Sequence, residues 1–160
     1  MEAPYQAALT VTRESFAMMR QALDGLPPEA LDWTPVANAN SIAVLVDHSV
    51  TATRFWMDAG SGRVRSLADY RAGERADSFQ VAGATASDLQ HSIDNYLAEL
   101  AAALGSATPG DLERIAAWPD LPDAPRASGH ECLQRAIGHL REHVGQVQLT
   151  RDLWLARPHP

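Results

Sequence analysis

The sequence predicts an all-α fold, a four-helix bundle with a long crossover connection between the second and third helices. Two observations carry this: four long segments have apolar residues at helical spacing, and no stretch alternates as a strand would. The gap between the second and third segments is long enough to permit a crossover rather than an up-down meander. The first helix is expected from about residue 5 to 23, where Ala8, Val11, Phe16, Met19 and Leu23 recur at mostly three- and four-residue steps. Gly25 and the Pro27-Pro28 pair stop it, and residues 29–31 add one short turn before Trp33, Pro35 and a polar link.

Asn38, Asn40 and Ser41 are N-cap types just ahead of Ile42, Leu45, Val46, Ser49, Thr53 and Trp56, so the second helix starts there and ends by Gly60 and Gly62. Residues 61–83 are charge-rich with scattered apolar residues and read as a long connection. Ser87 with Asp88 is expected to cap the third helix, whose stripe is Leu89, Ile93, Tyr96, Leu97, Leu100 and Leu104. Gly105 and Pro109 close it. Pro119, Pro122 and Pro125 then restrict residues 111–128 to short, edge-like extended structure. The fourth helix runs proline-free from about residue 129 to 155.

With 160 residues, the chain suits one domain over residues 1–160, able to bury roughly two thirds of its unfolded surface without a metal or disulfide to hold it together. The lone cysteine, Cys132, has no intramolecular partner, which fits a reducing compartment, and the cytoplasm is the expected one. No basic cluster precedes an apolar core at the start, and no apolar run nears the roughly 20 residues a membrane span needs, so no membrane partner is expected. A net charge of -7 with scattered arginines argues against nucleic acid as a partner.

His139 and His143 stand one turn apart on the fourth helix, with β-carbons roughly 5 to 6 Å apart, close enough for both imidazoles to reach one metal ion. They step along a face adjoining the apolar stripe and point inward. A third ligand should come from a facing helix, and His48 in the stretch 42–56 is the candidate. Three histidines leave coordination positions open, which points to catalysis rather than structure. Imidazole donors accept zinc, nickel, copper or iron. The competing expectation is that these are boundary histidines satisfied by water or neighbours.

His91 falls on the polar side of the third helix, His130 in the first turn of the fourth, and His159 in a tail expected to fray; none joins the site. Cys132 lies two turns before His139, too far to share its ion, and reads as a small core residue. Glu142 points about 100° away from His143. Asp47 is a candidate to orient an imidazole, Arg54 and Arg141 are candidate anion binders, and Tyr96 reads as a core residue with its hydroxyl at the rim.

Residues 40–48 (NSIAVLVDH), 54–56 (RFW) and 139–146 (HLREHVGQ), with the Trp33 and Pro35 approach to the second helix, resemble the DinB/YfiT-like metalloenzyme superfamily of bacterial four-helix bundles. The resemblance implies a divalent metal, usually zinc or nickel, held by His48, His139 and His143. It also implies a homodimer and, from members of known activity, thiol-dependent transferase or isomerase chemistry using mycothiol, bacillithiol or glutathione. The expected function is therefore a divalent-metal-dependent enzyme, a thiol-dependent S-transferase or isomerase acting on a small-molecule substrate. A metal-dependent hydrolase, a non-catalytic metal-binding stress-response protein, and a bundle with no metal are the alternatives.

Overall fold

The computed structural model describes residues 1–121, 123–124 and 126–158; Pro122, Pro125, His159 and Pro160 lie outside the described residues. Eight helices follow one another as α1 (Ala3–Leu23), α2 (Pro28–Asp32), α3 (Ile42–Gly60), α4 (Leu67–Ala72), α5 (Glu74–Ser78), α6 (Ala86–Ser106), α7 (Pro109–Glu113) and α8 (Gly129–Leu155) among the described residues. Between α7 and α8 lies a minimal antiparallel pair, β1 (Ile115–Ala116) and β2 (Ala127–Ser128), with Ile115 opposite Ser128 and Ala116 opposite Ala127.

The four long helices are those the periodicity predicts, and α8 has the predicted bounds. Ser41 caps α3 by accepting from the Val44 N–H at 3.3 Å, while Asn38 takes up a left-handed turn at φ 67° that asparagine tolerates. The α6 cap differs from expectation. It is Thr85, whose hydroxyl accepts from the Asp88 N–H while the Asp88 carboxylate accepts from the Thr85 N–H at 2.9 Å. This reciprocal box needs the acidic residue three positions beyond the cap, a spacing that Thr85 meets and Ser87 does not.

α3 packs against α8 and α6, and α1 packs against the same two, so α1 and α3 sit diagonally. Tyr5, at the start of α1, places its hydroxyl 3.1 Å from the carbonyl oxygens of both Gly60, at the end of α3, and Thr108, just past α6. Arg20–Asp94 and Gln90–Asp24 contacts join the end of α1 to the start of α6. α3 and α6 thus run parallel as neighbours, and the chain must cross back along the bundle between them, as the long gap predicts.

That crossover is more ordered than its composition suggests. Residues 61–83 read in sequence as a long connection, and they contain α4 and α5, with α5 packed on α3. Ser66 caps α4 by accepting from the Asp69 N–H at 3.0 Å, and Leu67 and Tyr70 are buried. Helices of five and six residues are too short for periodicity to register; they are held by packing rather than by propensity.

The main core gathers Phe16, Met19, Ile42, Val46, Ile93, Tyr96, Leu140 and Val147 from all four long helices. A second cluster beneath the strand pair contains Phe55, Tyr70, Trp118 and Cys132, with Phe55 and Tyr70 stacked at 4.3 Å between centroids. Cys132 is fully buried there, and burial pushes its thiol up to about 11. It is a core residue. No helix among the described residues is long and apolar enough to cross a membrane.

Candidate metal centre

The α3–α8 contact brings the three predicted histidines together: His48, His139 and His143 offer nitrogen atoms that all lie within 4.8 Å of one another. Their ring centroids are 5.1 Å apart for His48 and His139, 5.3 Å for His48 and His143, and 4.3 Å for His139 and His143. His48 and His143 are buried, and His139 is half-buried. This follows from local sequence. His48 lies two turns inside a helix whose start Ser41 fixes, and the four-residue step on α8 stacks its two imidazoles on the face turned toward α3.

Hydrogen bonds select which nitrogens face inward. The Ser78 hydroxyl donates to the Arg75 carbonyl at 2.7 Å, so its oxygen is left to accept from His48 Nδ1–H at 3.3 Å. The Gln146 side-chain oxygen accepts from His143 Nδ1–H at 2.7 Å. Both bonds leave Nε2 with its lone pair, the arrangement a metal requires of neutral imidazole. His139 Nδ1 has no partner among the described residues.

The electrostatics agree. Burial, then His139, His143 and Arg75, lower His48 to about 4. Burial and then His143 lower His139 to about 4 as well. Both are therefore neutral donors at pH 7. The Nε2 atoms of His139 and His143 lie 3.1 Å apart. Two nitrogens each about 2.0 Å from one ion at a roughly tetrahedral angle would sit about 3.3 Å apart. Donor type, tautomer and spacing all fit a divalent transition metal.

Two predictions follow from this geometry. Replacing the acceptor that orients His143, as Gln146→Leu, is expected to weaken metal binding about tenfold or more, read by competition against a chromogenic chelator. Unchanged affinity would show that Gln146 does not set the ligand. The metal-free chain is expected to lose stability as pH falls from about 6.5 toward 4. In that window the unfolded chain takes up protons at positions 48 and 139 that the folded chain refuses. The stability is fully present above the unfolded value and declines below it, by an amount on the order of a few kcal/mol at most. Thermal melts of wild type and of His48→Ala across this range test it, since the variant should show a flatter profile.

Sequence spacing does not mark some of the surrounding groups. Ser78, Arg75 and Phe79 come from α5 and its end, with the Phe79 ring 4.6 Å from that of His48 and the Arg75 guanidinium 5.1 Å from the Phe79 centroid. Nothing in the pattern of residues 74–79 signals this role. Gln146 was legible in principle, because it sits three residues beyond His143, on the same helix face.

The remaining candidates lie elsewhere. Asp47 makes no hydrogen bond to an imidazole among the described residues; burial raises its carboxyl, with Arg54 acting the other way. Glu142 is exposed, Arg141 lies 3.7 Å from Glu14, and Arg54 pairs with Glu99 at 2.9 Å. His91 and His130 are exposed, near Ser87 and Glu113 respectively.

A search of curated proteins finds no match to this chain. A family model described as the DinB superfamily, however, matches residues 12–147, from within α1 to four residues past His143. That span takes in both histidine-bearing helices and the crossover between them, so the match covers the fold and the histidine cluster together, and the chain belongs to the DinB superfamily.

Proposed function

We propose that this protein is a divalent-metal-dependent enzyme, a thiol-dependent S-transferase or isomerase, with His48, His139 and His143 holding the ion. The supporting observation is the donor set: three imidazoles, and no carboxylate or thiolate, form the group of convergent donors among the described residues. Neutral ligands leave a divalent ion its full charge, and three ligands leave a position for a reactant. A bound ion would supply Lewis acidity, lowering the pKa of a coordinated thiol from about 8.5 so that thiolate prevails at neutral pH.

The chain's own groups do the rest. Ser78 and Gln146 hold the imidazole tautomers, and Phe79 covers the His48 face and limits water. Arg75 places positive charge close enough to lower both His48 and His139, and so would favour an anionic thiol or substrate beside them. Zinc or nickel as the ion, a small-molecule substrate, a cytoplasmic setting and a homodimer belong to the same proposal.

One observation favours a second reading, a non-catalytic metal-binding protein. The clefts of about 520 Å³ and 310 Å³ are not lined by any of the three histidines; the smaller one reaches the cluster only through Gln146. Metal-loaded protein incubated with a panel of low-molecular-weight thiols and monochlorobimane separates the two. Turnover with at least one thiol is expected. None with any thiol, at full metal occupancy, would overturn the transferase reading, and product release from an activated ester without thiol would indicate a hydrolase instead.

A further inference from the structure

The face of α8 that carries the imidazoles continues past them. His139, His143, Gln146, Thr150 and Leu153 follow one another at steps of four or three residues, so they share one stripe of the helix. α3 runs antiparallel to α8, since the His48 ring lies 5.3 Å from that of His143 while Gly60 sits against Leu133 and Gly129. Leu45, one turn before His48, and Gln146, one turn after His143, therefore lie in the same direction along the seam, about 5 Å beyond the imidazoles. There the seam opens into the cleft of about 310 Å³, which Leu45, Gln146, Leu149, Thr150 and Leu153 line together with the link ahead of α3.

No charged side chain lines this cleft, whereas the larger one carries Arg54, Asp58, Arg63 and Glu99. Its polar groups include donors left over from the fold. Gln146 is exposed and gives its side-chain oxygen to His143 Nδ1–H at 2.7 Å, so its amide N–H groups remain, and they make no bond among the described residues. Thr150 is 6% exposed; its hydroxyl has no partner among the described residues, yet it is not sealed from solvent as the Thr12 and Thr53 hydroxyls are. Standing four residues apart on one face, Gln146 and Thr150 can both reach a single acceptor atom. A carboxylate there would lose water and meet no cation, but a carbonyl oxygen takes two donors without that penalty. Buried Leu45 and the exposed Leu149 and Leu153 supply the apolar wall.

We infer that this cleft binds a neutral carbonyl compound, whose oxygen accepts from Gln146 Nε2–H and the Thr150 hydroxyl while its apolar body lies against Leu45, Leu149 and Leu153. One amide then touches both sites, holding His143 through its oxygen and the ligand through its nitrogen. The volume is at the lower end of small-molecule sites. That the occupant is the reactant other than the thiol rests on the function proposed above; the binding itself does not.

Nuclear magnetic resonance of the full ¹⁵N-labelled chain, with zinc supplied, tests this by titration with acetophenone, and with benzoate as the charged counterpart. Saturable shifts of the Gln146 and Asn40 side-chain amide signals are expected with acetophenone, and benzoate should bind at least about tenfold more weakly. Thr150→Val removes the hydroxyl at nearly constant shape and should weaken acetophenone about fivefold. Leu149→Asp places a charge in the wall at a position 61% exposed, where the fold is not at risk; it should weaken acetophenone about tenfold and carries the test if the threonine variant does not fold. Absence of saturable shifts at these amides, equal affinity for benzoate, or parental affinity in both variants would each overturn the assignment. Shifts of the same signals with protein concentration alone would overturn it too, because a second copy of the chain would then cover the cleft. Neither thiol nor turnover enters the measurement, so its failure is distinct from that of the thiol panel.

Discussion

Protein carrying His139→Ala together with His143→Ala is expected to purify without stoichiometric divalent metal, where the parent, loaded and desalted, retains about one ion per chain. The double change leaves His48 alone, and a single imidazole cannot compete with water and buffer for a divalent ion. It should not cost the fold. Alanine is the best helix former, and α8 keeps Leu140, Val144 and Val147 in the core. The variant should therefore keep the helical circular dichroism of the parent while losing metal by elemental analysis of untagged protein. Retention of a full equivalent would place the ion elsewhere and remove the basis for the proposed chemistry. Loss of metal with loss of helicity would not follow from ligand removal, so His48→Ala, which changes a different helix, provides the independent check: it should lower affinity by orders of magnitude with α8 intact.

How much of this was readable beforehand depends on the range of the signal. The four long helices and the pairing of His139 with His143 rest on spacing within one segment, which sequence displays directly. His48 needed one further step, that facing helices of a bundle share a site, and α3 does pack on α8. The covering segment was not readable. α5 has five residues, its Ser78 acts through a hydroxyl whose direction is set by the Arg75 carbonyl, and its position beside His48 arises from the crossover's path over α3. A contact thirty residues apart in sequence and carried by one turn of helix leaves no periodic trace. The Thr85 cap is hidden for a smaller reason: Thr85, Ser87 and Asp88 are all capping types, and only the reciprocal bond between Thr85 and Asp88 decides among them.

The position of α8 along the bundle is fixed at its first residue, and this makes Gly129→Ala the substitution expected to cost the fold most. A β-carbon there would be driven into the Asp111 carbonyl oxygen and would come within 2.7 Å of Leu112 Cα and 3.0 Å of the Asp111 carbonyl carbon. These are backbone atoms, so no rotamer change relieves the clash. α7 cannot simply withdraw. The Thr108 N–H is held by the Asp111 carboxylate at 2.9 Å, Arg114 pairs with Asp111 at 3.0 Å, and the Gly129 N–H donates to the Arg114 carbonyl at 3.0 Å. Relief would have to break these bonds or move α8 itself. A loss of about 4 kcal/mol is expected, at the upper end of what overpacking and strain produce, seen as a fall in melting temperature of roughly 10 °C for a chain of this size. Gly138→Ala, on the same helix with nothing within 4 Å of its added β-carbon, should instead raise stability by up to about 1 kcal/mol, because alanine narrows the unfolded ensemble and favours helix. Opposite signs from one chemical change on one helix separate backbone crowding from helix propensity. If the protein accommodates Gly129→Ala by sliding α8, the imidazoles of His139 and His143 move with it relative to His48, and metal affinity must fall even where the melt is mild. A variant that keeps both parental melting temperature and parental metal affinity would show that neither the α7–α8 contact nor the register of α8 is set at this glycine.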